Sequence, residues 1–308
     1  PLTLPCGQVL PNRILKSAMS EIMGTPSHAP GAALPTLYRR WADGGIGVSV
    51  TGNVMIDRTA LGEPANVVIE DDRDLDALRA WAMAAKTGGT LAWMQLNHPG
   101  KQSPRFLSRQ TVSPSAVGFG PALEPAFGVP RALTEAEIED LIERFGRAAG
   151  VAAQAGFDGV QIHGAHGYLV DQFFWEGSNQ RTDEYGGSLA NRSRFAIELI
   201  QATRAAVGPD FPIIFRFSQW KQQDYTARLV QTPEALGEFL KPLSDAGVDI
   251  FHCSTRRFWE PEFEGSDLNL AGWTRQLTGK PTITVGSVGL DGEFLQFMVN
   301  TDKVAQPA

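Results

Sequence analysis

Short apolar runs alternate with amphipathic stretches along most of the chain, and that alternation predicts its fold. Residues 13–19, after Pro11, and 46–51 read as strands, separated by a Gly- and Pro-rich loop and a helix over 34–42 that Gly44-Gly45 stops. A helix over 74–86 leads through Gly88-Gly89 into a strand over 90–95. The clearest helix is 134–155, where Thr134 and Glu137 form a capping box and Ile138, Leu141, Ile142, Phe145 and Ala149 follow at helical spacing. Strand 159–163, helix 194–206, strand 213–217, helix 233–246, strand 250–253, a weaker helix over 268–277 and strand 282–286 continue the series.

Strands alternating with helices, without a linker or second compositional zone, predict one parallel α/β domain over 1–308, closed as a (β/α)8 TIM barrel. An open doubly wound sheet is the alternative. Against it, no GxGxxG opens the first helix, and chemically capable residues follow several successive strands, as on a barrel's C-terminal face. Residues 97–132 break the pattern with repeated Pro and Gly and are expected to form an inserted lid or hairpin. No eighth β/α unit is visible after Gly286, so the C-terminus is expected to be truncated; Pro1 is no natural start, so a few residues are expected before it.

Composition narrows the function classes. With 43% hydrophobic and 20% charged residues the chain can bury a large core, and a net charge of -7 argues against general affinity for nucleic acid or anionic lipid. Cys6 and Cys253 are the only cysteines and form no CxxC, so a disulfide framework and an iron-sulfur cluster are excluded. No run reaches the length of a membrane span and no signal sequence opens the chain, which predicts a cytoplasmic location.

The candidate chemistry sits at strand ends: Ala18, Met19 and Ser20 after the first, Gly52 after the second, Gln95, Asn97 and His98 after the third, His163 and His166 after the fourth, Arg216 at the fifth, and Gly286 and Ser287 after the seventh. His163 and His166, three apart on a loop leaving a strand, can aim two N–H donors at one carbonyl oxygen and stabilise negative charge that develops there. Tyr168, two residues on, can act as a general acid. The same histidines could instead be metal ligands with Asp171 or Glu176, though they lack the helical HExxH arrangement, or a structural pair hydrogen-bonded in the barrel mouth. Arg216 ends the apolar run IIFRF and must meet either an electron-rich group or an acidic neighbour.

The string HGAHGYLVDQFF continuing into NQRTDEYGGSLANRSRF resembles the old yellow enzyme family of FMN-dependent oxidoreductases, and the resemblance covers residues 12–289. The HxxH form looks like the bacterial two-histidine members. The resemblance implies FMN as cofactor, NAD(P)H as reductant, and ping-pong hydride transfer to the C=C bond of an α,β-unsaturated carbonyl compound. His163 and His166 would hold the substrate oxygen and Tyr168 would protonate the α-carbon. Arg216 would lie against the flavin pyrimidine, Gln95 would pair with the ring edge, and Ala18, Met19 and Gly52 would contact the ring. Gly286 and Ser287 would offer backbone N–H groups to the phosphate. The partners implied are small enone-type molecules, with a homo-oligomer possible and no nucleic acid, membrane or metal. Three departures stand out: no Gly-Arg pair follows for the phosphate, and Ser20 and Ile22 occupy positions where some relatives place a cysteine and a tyrosine. His98, Asn97, Phe258 and Trp259 are expected to wall a cleft above the ring. Residues 179–195, rich in arginine and aspartate around Gly186-Gly187, read as a scaffold loop with Ser188 or Asn191 as helix cap. The alternatives are a flavin- or ligand-binding barrel without turnover, and a metal-dependent lyase or hydrolase on the same barrel.

Overall fold

The computed structural model describes residues 1–289. Seven parallel strands follow one another around a curved sheet: β1 (Leu15–Lys16), β2 (Val48–Met55), β3 (Leu91–Asn97), β4 (Gly159–His166), β5 (Ile213–Lys221), β6 (Ile250–Ser254) and β7 (Thr282–Val285). Each pairs in parallel with its neighbour in the chain. Between them run α1 (Ala33–Asp43), α2 (Leu75–Ala85), α3 (Glu135–Gln154), α4 (Leu169–Phe174), α5 (Leu189–Val207), α6 (Pro233–Asp245) and α7 (Leu270–Thr278). This is the architecture of a (β/α)8 barrel. The expectation of a truncated C-terminus without an eighth unit falls on residues outside those described.

Strand alternation sorts side chains between two cores. Val48, Val50, Trp93, Ile214 and Ile250 pack together with Leu4 and Leu10, which belong to an N-terminal antiparallel hairpin of Leu2–Thr3 and Val9–Leu10 that forms the floor. The intervening positions, such as Met94, Ile162, Phe215 and Phe251, join a larger core shared with the helices. The helices start where the sequence offers caps. Thr134 Oγ1 accepts from Glu137 N–H (3.3 Å) while the Glu137 carboxylate accepts from Thr134 N–H (2.9 Å), closing the capping box of α3. Ser188 caps α5 and Asn269 caps α7.

The 97–132 insertion is ordered but is not a hairpin. Val112–Ser113 pairs with Arg131–Ala132 in parallel, because a short helix (Glu124–Phe127) intervenes and brings the chain back in the same direction. The first strand is shorter than the predicted 13–19, and β2 runs on to Met55 past a register shift between Val50 and Asn53. Among the described residues no helix is long and apolar enough to cross a membrane.

Candidate active site

Above the apolar floor the inner face of the barrel turns polar. His252 Nδ1 meets Gln161 Oε1 at 2.7 Å, Gln161 Nε2 donates to Gln95 Oε1 at 2.5 Å, and Gln95 Nε2 donates to Asn53 Oδ1 at 2.7 Å. Since an amide oxygen can only accept, the His252 proton sits on Nδ1. Arg216 Nη1 reaches the same Gln95 oxygen at 3.4 Å. The guanidinium is 8% exposed and, among the described residues, has no carboxylate within ion-pair distance; its Nε has no partner. Burial lowers its pKa to about 10, which leaves it cationic at neutral pH.

Arg216 and His163 stand opposite each other in the β4–β5 pairing. The His163 ring lies 5.1 Å from that of His166 and 4.7 Å from that of Tyr168, edge-on in both cases. Burial, reinforced by the Arg216 charge, holds both imidazoles well below their ordinary pKa, so each is neutral and carries one N–H. His163 Nδ1 accepts from Ala165 N–H at 3.3 Å, which puts its proton on Nε2. His166 Nε2 lies 2.7 Å from Ser254 Oγ, and its ring stacks on Trp220 at 4.6 Å. Burial lifts the Tyr168 pKa to about 12, so its hydroxyl keeps its proton.

The loop that carries these groups is strained and pinned. His166 has φ 64° and Gly167 φ 80°, both in the left-handed region. Gly167 N–H donates to Asp171 Oδ2 at 2.6 Å, and Asp171 pairs with buried Lys221 at 2.8 Å. No acidic cluster joins the histidines: among the described residues no group of three His, Cys, Asp or Glu could hold a metal ion.

The remaining predicted positions divide. Ala18 is half-buried and packs against the lower core, and Met19 is exposed and lies by Gly52, where a Cβ would run into the Met19 carbonyl and the Glu21 carboxylate. Gly52 N–H donates to Glu21 Oε1 and Tyr38 Oη, each at 3.1 Å. Gly286 has φ 137° and a Cβ there would sit 2.7 Å from Thr255 Oγ1, so glycine is required; Ser287 follows with φ 53°. These two lie at the tip of β7, against the loop after β6. His98 is not a wall of this mouth. It lines a separate cavity of about 240 Å³ with Asp57, Arg131 and Arg144, and none of the predicted site residues borders that cavity. Asn97 remains, fully buried with neither amide atom partnered. Phe258 N–H donates to Gly286 O (2.9 Å), and Trp259 is 44% exposed.

Sequence reasoning passed over Gln161, His252, Asn53, Glu21 and Ser254. The first two were detectable as polar residues at inward positions of otherwise apolar strands. Glu21 stands between Ser20 and Ile22, which were singled out, and its carboxylate ties the first strand's loop to the second strand at Gly52.

Arg216 Nε and both amide atoms of Asn97 are buried without a partner among the described residues, and a polar ligand that met them would recover about 1–3 kcal/mol for each. A flat ring that carries both carbonyl acceptors and a ring N–H donor offers partners of both kinds; FMN has such a ring. The family model described as NADH:flavin oxidoreductase / NADH oxidase matches residues 1–302. The chain is 37% identical over 278 residues to an NADH-dependent flavin oxidoreductase of Neonectria sp., covering 85% of this chain and 36% of that one. It is 37% identical over 284 residues to the like-named protein of Hypocrea jecorina, covering 85% and 68%. The chain therefore spans about a third of one relative and two thirds of the other. Among solved structures, the old yellow enzyme homologue of Zymomonas mobilis superposes with TM-score 0.77 at 27% identity, covering 94% of this chain and 81% of that one.

Proposed function

The chain belongs to the NADH:flavin oxidoreductase / NADH oxidase family, to which the old yellow enzymes belong, and from that premise we propose that it is an FMN-dependent ene-reductase of the two-histidine kind. NAD(P)H is the reductant and an α,β-unsaturated carbonyl compound the oxidant. The observation that carries this reading is Arg216, a buried cation with no carboxylate partner among the described residues, standing beside two neutral imidazoles and a protonated tyrosine.

Arg216 and Gln95 would hold the flavin ring edge, Ala18, Met19 and Gly52 would border the ring, and Gly286 with Ser287 would meet the phosphate. Bound there, FMN supplies a centre that accepts a hydride from one molecule and gives it to the next. The protein's part is electrostatic and acid-base. His163 directs Nε2–H at the carbonyl oxygen, where charge builds as the β-carbon is reduced. His166 supplies the second donor. Tyr168, kept protonated by burial, delivers its proton to the α-carbon. The ordered 97–132 segment borders this end of the barrel and serves as a lid.

Purified full-length protein should be yellow and should oxidise NAD(P)H when cyclohexenone is added. A colourless preparation that takes up no added FMN sinks the reading.

A further inference from the structure

We infer that Ser254 sets the tautomer of His166, keeping its proton on Nδ1, so that a ligand oxygen meets Nε2–H of His163 and Nδ1–H of His166. Ser254 Oγ has two hydrogen-bond partners among the described residues, Arg216 Nη2 at 3.3 Å and His166 Nε2 at 2.7 Å. A guanidinium can only donate, so it takes one lone pair of the hydroxyl. The hydroxyl has one proton to place. If His166 donated from Nε2, that proton would have no acceptor at a residue that is 3% exposed. Given instead to Nε2, it satisfies both groups, and the neutral imidazole must then carry its own proton on Nδ1.

The ring has little freedom to choose otherwise. It stacks on Trp220, and the same indole donates Nε1–H to the Ser254 carbonyl at 3.1 Å, so one side chain places both members of the pair. His166 N–H donates to Ser218 Oγ at 2.9 Å and its carbonyl accepts from Gln222 N–H at 3.2 Å. A half-turn of the ring would set a carbon against Ser254 and forfeit the bond. Ser254 is thus a positioning residue: it touches neither substrate nor reacting atoms, and it passes the fixed donor character of Arg216 to the imidazole. Only the identity of the ligand oxygen rests on the proposed function; the proton's location does not.

The test is nitrogen NMR of the holoenzyme labelled at its five histidines, with His166 assigned by the signals lost in H166Q. The expected result is a directly bonded proton on Nδ1 and an unprotonated, hydrogen-bonded Nε2. In S254A the proton should redistribute toward Nε2, and the phenol dissociation constant should rise about tenfold, the scale of one lost hydrogen bond. S254T keeps the hydroxyl and should restore both readouts. A proton on Nε2 in the unsubstituted protein, or S254A nitrogens and phenol affinity identical to it, overturns the inference. If the nitrogens move as expected but no form binds phenol, the tautomer assignment stands and the oxyanion reading of the site falls.

Discussion

Two imidazoles with one proton each make a directional pair, and His163 is the better defined of them because the Ala165 amide has already claimed its Nδ1. Replacing His163 by Ala would remove the proposed oxyanion donor, worth roughly 3 kcal/mol or about a hundredfold to a thousandfold in rate. Stopped-flow measurement should show slow flavin reoxidation by enone and weak phenol binding, with FMN retained. Unchanged phenol affinity would remove His163 from the donor role. The HGAHGY run was legible because side-chain chemistry and spacing are both written in the letters. Ser254 was not: a serine at a strand end is common, and only the 2.7 Å approach of a side chain 88 positions away gives it meaning.

At the scale of elements, local signals translated well where the chain speaks to itself. The capping box of α3 joins residues three apart and was readable in full, while for α5 the sequence offered Ser188 or Asn191 and the structure uses Ser188. Thr134→Ala should lower the urea midpoint by the equivalent of about 1 kcal/mol, while Thr134→Ser, which retains the acceptor, should keep most of it. Equal midpoints for the two variants would mean that the Glu137 bridge to Arg131 holds the helix start without the threonine. The 97–132 segment was read as a lid or hairpin and its parallel pairing escaped notice, since a two-residue pair across 19 positions leaves no periodicity to read. The short helix α4 was missed for a similar reason: all six of its residues are buried, Asp171 and Gln172 included, so it has no exposed face to set a helical period.

For the whole molecule, the strand–helix alternation disclosed the barrel, but not how much ionisable material its interior would bury. His98, His163, His166 and His252 are all held below their ordinary pKa by burial, His98 at about 4. In the unfolded chain these imidazoles take up protons near pH 6.5 that the fold refuses, so stability is present above that pH and is lost as pH falls through it. Buried Asp171 and Glu262, whose pKa values are raised, act in the opposite sense, with two carboxyls set against four imidazoles. The urea midpoint at pH 5.5 should lie below that at pH 7.5, with His98 alone contributing about 1 kcal/mol to the difference. Equal midpoints would show that the fold admits the protons.

The row of polar side chains from His252 through Gln161 and Gln95 to Asn53 runs across the bore as well as around the wall, since His252 on β6 reaches Gln161 on β4 past the strand between them. It acts as a tie-beam, bracing the staves from within so that the width of the opening does not rest on backbone pairing alone. Its links all point one way, each giving a hydrogen to the next. Cutting it at either end leaves two loose ends of opposite kind, a giver without a taker and a taker without a giver, whereas at its middle link the Gln95 oxygen keeps Arg216.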